Sequence, residues 1–253
     1  DIIAKLSIYD DLLRTLSAVS NRPKVLDLGC GRGEWLEKCK QHDLDCLGID
    51  SDDDMTQYCL DRGFNVLNAD VFEQLPLIKD NSYSLISCFH IIEHLTNEKI
   101  FIFLSEILRI LRDDGILLME TPSIDNLIVS SKNFYLDPTH INPINPDRII
   151  FTLKSIGFYS SKYLYINSGP LFNASHMKIT RILNGVGQDT MFLAFKSKLG
   201  SHISSSDLQL WINNLPKSLS TLKAASQYDF LFDNKIQQLS DEILELKNLV
   251  NSN

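Results

Sequence analysis

A doubly wound α/β sheet, mostly parallel and seven-stranded, with a helical extension behind it, is the fold the sequence predicts. Three observations predict it. Short apolar strands alternate with amphipathic helices from residue 24 onward, a glycine turn joins the first strand to the helix after it, and two aromatic-rich strands end the alternation before a Ser-rich break. At 253 residues, with 44% hydrophobic and 22% charged side chains, the chain has room for one full-sized core and an appendage.

Ile2, Ile3, Leu6, Tyr9, Leu12, Leu13, Leu16 and Val19 recur at helical spacing, so residues 2–19 are expected to form an amphipathic helix covering one end of the sheet. Lys24-Val25-Leu26-Asp27-Leu28 reads as a strand that stops at Gly29-Cys30-Gly31-Arg32-Gly33, and a helical pattern resumes from Glu34 to Cys39. The same alternation gives strand 44–49, helix 53–62, strand 64–69, strand 84–89, helix 98–111, a turn at Asp113-Asp114-Gly115 and strand 116–120. Pro122, Pro138, Pro143 and Pro146 then enforce a loop-rich insertion, because proline lacks the helix hydrogen-bond donor. Helix 147–156 and strands 159–166 and 190–197 close the sheet near Lys198. Three segments result: a sheet domain over 1–200, a linker and helical segment over 201–227, and a heptad helix over 228–253. In the last, Phe232, Ile236, Leu239, Ile243, Leu246 and Val250 form an apolar seam expected to associate chains over residues 228–250 as a parallel coiled coil, in pairs or threes. A helix folded back on its own domain is the alternative.

Twenty-four Lys plus Arg against 32 Asp plus Glu give a net charge of −8, which argues against wrapping duplex nucleic acid. Five cysteines, none in a Cys-x-x-Cys pair, read as reduced thiols rather than a disulfide frame or zinc cluster. No apolar run approaches the roughly 18 residues of a membrane span, and Asp1-Ile2-Ile3-Ala4-Lys5 does not begin a secretory signal. A cytoplasmic location is expected, peripheral to the inner membrane if the protein works within a biosynthetic complex.

The glycine turn admits either a dinucleotide or another adenosyl cofactor, and its spacing separates the two. A G-x-G-x-x-G fingerprint needs glycine at position 34, where Glu34 stands. The run Asp27-Leu28-Gly29-Cys30-Gly31-Arg32-Gly33 resembles motif I of the class I S-adenosylmethionine (SAM) dependent methyltransferases. That resemblance implies that Asp27, Gly29, Cys30, Gly31 and Gly33 lie against the methionine part of SAM. It further implies that Asp50 accepts hydrogen bonds from the ribose hydroxyls, that Met55 covers the adenine, that Asp70 and Val71 meet the adenine edge and ring, and that Phe89 contacts the cofactor. Asp52, Asp53 and Asp54 are read instead as acids in a first helical turn. Three more segments, Phe89-His90-Ile91-Ile92-Glu93-His94-Leu95, Glu120-Thr121-Pro122 and Asn133-Phe134-Tyr135-Leu136-Asp137-Pro138-Thr139-His140, resemble methyltransferases found with bacterial O-antigen and capsule genes, which implies a sugar acceptor.

His90, Glu93 and His94 stand at i, i+3 and i+4, so one helical turn places them on one face, and His140 lies in the proline-rich loop that can fold over the same edge. A similar segment binds a divalent ion in small-RNA 2′-O-methyltransferases, which implies His90, Glu93, His94 and His140 as metal ligands. Such a set suits manganese, iron, nickel or zinc better than magnesium. The metal-free alternative makes His94 or His140 the general base with Glu93 beside it. His42, His176 and His202 are read as surface residues, and Glu98, Glu106, Arg109 and Arg112 as a solvated helix face. The expected activity is SAM-dependent O-methylation of a sugar hydroxyl of a surface polysaccharide. Methylation of a small phenol or an RNA end, and a non-catalytic SAM-binding scaffold, are the alternatives.

Overall fold

The computed structural model describes residues 2–18, 23–198, 205–216 and 218–251. Seven strands form one sheet in the order β3-β2-β1-β4-β5-β7-β6. They are β1 Lys24–Leu28, β2 Asp45–Asp50, β3 Asn65–Asn68, β4 Tyr83–Phe89, β5 Leu111–Pro122, β6 Ser160–Ser168 and β7 Gly187–Phe195. Strands β1 to β5 pair in parallel, while β7 runs antiparallel to both β5 and β6. The eleven α-helices among the described residues are α1 Ile2–Leu6, α2 Asp10–Ser17, α3 Glu34–Gln41, α4 Asp53–Asp61, α5 Val71–Gln74, α6 Asn97–Ile110, α7 Leu127–Ser131, α8 Pro146–Ile156, α9 Ile179–Asn184, α10 Ser205–Asn214 and α11 Thr221–Asn251.

The two faces of the sheet carry separate cores. One joins Leu26, Ile86, Phe103, Ile107, Leu153 and Phe192 beneath α6 and α8. The other joins Tyr9, Leu12, Leu16, Trp35, Leu118 and Trp211 beneath α2, α3 and α10. The expected N-terminal helix is present, broken by a 3-10 turn at Ser7–Tyr9. Trp211 on α10 donates its indole N–H to the Ile8 carbonyl at 2.7 Å, so part of the 201–227 segment is docked on the sheet domain. Of the Ser-rich break, residues 201–204 lie outside the described residues, and Ser205 and Ser206 begin α10. The turn at Asp113-Asp114-Gly115 falls within the longer β5, where the β4–β5 register slips between Tyr83 and Leu85. The short helices α5, α7 and α9 escaped the sequence reading, being too brief to show a period.

Two charged positions differ from expectation. His42 is not a surface residue: its Nε2 lies 3.0 Å from Asp10 Oδ1, the carboxylate that also holds buried Lys38 at 2.6 Å. Arg109 is no solvated side chain, since it bridges Glu106 and Asp80 and donates to the carbonyls of Leu75 and Ile78. His176 is exposed, and His202 lies outside the described residues.

Candidate active site

The carboxyl ends of β1, β4 and β5 open into a cavity of about 360 Å³ lined in part by Asp27, Gly29, Gly31, Phe89, His90, Glu120 and Asp189. Its wall is the glycine turn. Gly31 has φ +50°, and a Cβ there would meet no atom within 4 Å, so a side chain would occupy open space beside the turn. The Gly31 N–H donates to Asp50 Oδ2 at 2.8 Å, and Asp50 Oδ1 accepts from the Asp52 N–H at 3.0 Å. Asp50 therefore braces the turn from the end of β2. Met55 follows on α4, half-buried, with its N–H capped by Asp52 at 3.0 Å as the acid-run reading expects. Asp70 caps α5 by accepting from the Phe72 and Glu73 N–H groups through Oδ1, and half-buried Val71 begins that helix. Cys30 is buried, and Gly33 forms the N-cap of α3.

Asp27 is buried and accepts from Ser87 Oγ at 2.7 Å. Burial pushes its pKa up to about 8; the Ser87 bond works against this, and Asp50 and Glu34 add to it. The native carboxyl is thus protonated where an unfolded one, near 4, is not, so its contribution to stability is lost as pH rises from about 4 through about 8. Asp27→Asn keeps the shape and removes the ionisation. It is expected to flatten the decline in melting temperature between about pH 5 and pH 8.5, gaining on the order of 2 kcal/mol at the upper end. Parallel pH-dependent melts of the two proteins check this.

Beyond the glycine turn lie groups that periodicity did not reveal. Tyr9, fully buried, hydrogen-bonds Glu120 and packs on Trp35 and Phe89 with ring centroids 5.6 and 5.9 Å away. Glu120, at the end of β5, is raised to about 7 by burial, an effect that the Tyr9 bond opposes and Asp189 reinforces. Asp189 reaches the same place from β7, because antiparallel pairing sets it against Pro122, and Asn167 Nδ2 donates to it at 2.8 Å. His90 and Asn167 both hold left-handed backbone, φ +56° and +51°, at this cavity. Burial lowers the His90 pKa, but Glu93, Asp189 and Glu120 outweigh it and hold the imidazole at about 9.

The four residues singled out for a metal do not share one centre. Glu93, His94 and His140 bring ligand atoms within 4.8 Å of one another, whereas His90 groups in the same way with Glu120 and Asp189. Glu93 links the two clusters: its Oε1 lies 3.3 Å from His90 Nδ1 and 4.0 Å from His140 Nε2. The cause of the separation is local. Ile92–His94 is a 3-10 turn rather than an α-helix, and His90 precedes it in left-handed backbone. The tautomers follow from the partners. His140 Nδ1 lies 2.7 Å from the Phe134 carbonyl, which only accepts, so Nδ1 carries a proton and Nε2 is left free of hydrogen bonds, with Glu93 Oε1 and Asp137 Oδ2 4.0 and 3.9 Å away. Thr139 Oγ1 gives its proton to Asp137 at 2.6 Å and so accepts from His94 Nδ1 at 2.9 Å, which leaves His94 Nε2 free as well. Glu93 is fully buried; Oε2 accepts from Thr121 at 2.9 Å, while Oε1 makes no well-formed hydrogen bond, its nearest donor being His90 Nδ1 at 3.3 Å. His140 and Asp189 also line a smaller crevice of about 180 Å³ with Phe134 and Gln188, so Asp189 borders both spaces.

Comparison with known proteins agrees with this architecture. Residues 4–160 match a methyltransferase domain family. A probable S-adenosylmethionine-dependent methyltransferase of Mycobacterium tuberculosis is 29% identical over 150 residues, 58% of this chain and 52% of that protein. A second, from Mycolicibacterium smegmatis, is 30% identical over 137 residues, 53% of this chain and 51% of its own length. The chain spans about half the length of the curated relatives it matches. Among solved structures, a SAM-dependent methyltransferase from Archaeoglobus fulgidus superposes with a TM-score of 0.66 at 29% identity, covering 77% of this chain and 92% of its own. The fold alone is shared with a Haemonchus contortus phosphoethanolamine N-methyltransferase solved with SAM, at 16% identity, TM-score 0.55, and coverage of 78% of this chain and 57% of that one.

Proposed function

Because the chain belongs to the methyltransferase domain family, we propose that it transfers a methyl group from SAM to a hydroxyl of a sugar in a bacterial surface polysaccharide. The observation that carries the reading is the continuity of one cavity, from the glycine turn braced by Asp50 to the His90, Glu120 and Asp189 cluster. SAM occupies the glycine-turn end, with its adenosine toward Asp50, Met55, Asp70 and Val71, and its methyl group toward Phe89 and His90. The acceptor enters beside His140 and Asp189. Transfer is an in-line displacement: the hydroxyl oxygen bonds to the methyl carbon as the carbon–sulfur bond breaks, leaving neutral S-adenosylhomocysteine and a proton for a nearby base. Alignment supplies much of the rate, since the sulfonium is already a good leaving group. The sugar class rests on the resemblance of the segments around His90, Glu120 and Asn133. A cytoplasmic site of action, and association of chains through residues 228–250, belong to the same reading.

The donor set of Glu93, His94 and His140 fits a divalent ion: two imidazoles hold Nδ1 on Thr139 and the Phe134 carbonyl and keep Nε2 available as a ligand, and the buried Glu93 Oε1 makes no well-formed hydrogen bond, His90 Nδ1 lying 3.3 Å from it. Two nitrogens and one carboxylate favour iron, zinc, manganese or nickel over magnesium. A bound ion of that kind lowers the pKa of an acceptor hydroxyl. The chain's own contribution is to hold both rings through Thr139 and the Phe134 carbonyl, and to keep the Glu93 carboxylate out of water.

Two measurements test the reading. Asp50→Ala is expected to weaken SAM binding by about 2 kcal/mol, on the order of thirtyfold, because the ribose loses a charged acceptor and the turn its brace. Calorimetry giving unchanged affinity refutes the cofactor placement. Incubating methyl-labelled SAM with glycans, simple phenols and RNA oligonucleotides in parallel identifies the acceptor, and label confined to phenol or RNA overturns the sugar assignment.

A further inference from the structure

We propose that α11 binds a second copy of this chain as a two-stranded, parallel, in-register coiled coil, which sets two active-site edges side by side. The proposal is independent of the acceptor's identity. Among the described residues, only the first turns of α11 are held by the rest of the chain. The Thr221 N–H donates to Asp125 Oδ2 at 2.5 Å, Ala224 is buried, and the preceding Leu219 carbonyl accepts from the Gly187 N–H at 3.1 Å. Asp125 follows β5 and Gly187 begins β7, the strands that carry Glu120 and Asp189, so the helix is rooted beside the cavity. From Phe232 onward its apolar seam has no cover among the described residues, with exposures from 41% at Leu239 to 75% at Val250. The alternative of a helix folded back on its own domain is therefore not what the described residues adopt.

Residue types along the seam choose the partner. Counting Phe232 as a d position makes Leu239 and Leu246 the next d residues and Ile236, Ile243 and Val250 the a residues. β-Branched residues at a with leucine at d favour two parallel strands over three, because each rotamer packs well only in the dimer's differently oriented holes. The flanking charges choose the direction. In a parallel pair the g residue Glu242 of each chain faces the e residue Lys247 of the other, giving two opposite-charge contacts. An antiparallel pair centred on the same seam also forms two opposite-charge contacts, Asp233 with Lys247, but it sets Glu242 against Glu242 and separates the two roots at Thr221 by about 60 Å. Parallel pairing is thus the arrangement in which core shape and charge agree.

The test uses the full chain. Light scattering at high micromolar concentration is expected to give twice the chain mass. Glu242→Lys and Lys247→Glu are each expected to weaken association at least tenfold, and the double variant to restore it. Leu246→Cys, on the exposed seam, is expected to form a disulfide-linked dimer with oxidised glutathione, since in-register d residues face their own copies. A monomer or trimer mass, a double variant no better than the singles, or failure of Leu246→Cys to cross-link to itself each overturns the proposal.

Discussion

Gly31→Val is expected to reduce SAM affinity more than a hundredfold while leaving the sheet folded. Two effects add. At φ +50° a β-branched residue sits in a backbone region that costs roughly 1–2 kcal/mol for an ordinary L-residue and more for valine. The new side chain would also project into the open space beside the turn, where no protein atom lies within 4 Å and where the methionine half of SAM is proposed to rest. The first effect lowers the melting temperature; the second leaves it alone and removes binding. Gly31→Ala separates them, since it carries most of the backbone cost with one small methyl group. Calorimetric titration with SAM, alongside thermal melts of the three proteins, checks the prediction. A Gly31→Val protein that binds SAM within about threefold of the wild type refutes the cofactor's place at this turn.

The parts of this molecule written locally in the chain were legible, and those made by distant pairing were not. The strand, glycine turn and helix around Asp27 to Cys39 depend on neighbouring residues, and they appear where the pattern put them. The long seam of α11 is likewise a matter of spacing, though the helix begins earlier, at Thr221, because its first turns are fixed by contacts with Asp125 and not by heptads. Asp189 was invisible for the opposite reason. Nothing within strand 190–197 marks the residue before it, and its importance arises only once β7 inserts antiparallel between β5 and β6 and sets it opposite Pro122. Tyr9 was hidden within an apolar stripe: periodicity shows that it faces the core, but not that its hydroxyl meets Glu120. The His90, Glu93 and His94 spacing placed three residues together by assuming an α-helix, and the 3-10 turn sends His90 to a different cluster.

Glu93→Gln is expected to lower methyl transfer at least a hundredfold with SAM affinity changed by less than about twofold. Glu93 does not line the cavity that holds the glycine turn, so its loss should leave the cofactor contacts in place. It is instead the buried carboxylate shared by His90 and His140, and glutamine, able to accept from Thr121, preserves the shape while removing the charge. His94→Ala should have an effect of similar size, because its free Nε2 is fixed by the chain from Asp137 through Thr139. Thr139→Val keeps the volume but breaks that chain, and a smaller fall in turnover is expected, with no change in the affinity for SAM. Exhaustive chelation then decides what the free nitrogens do. If they and Glu93 hold an ion, chelated enzyme is inactive and manganese, iron, nickel or zinc restores it, with the restoring metal retained by the wild type and lost from Glu93→Gln in elemental analysis. Full activity after chelation removes the ion and leaves an imidazole as the base that takes the hydroxyl proton. Full activity in both Glu93→Gln and His94→Ala removes this cluster from the reaction and leaves His90, at the cavity itself, as the imidazole nearest the proposed methyl position.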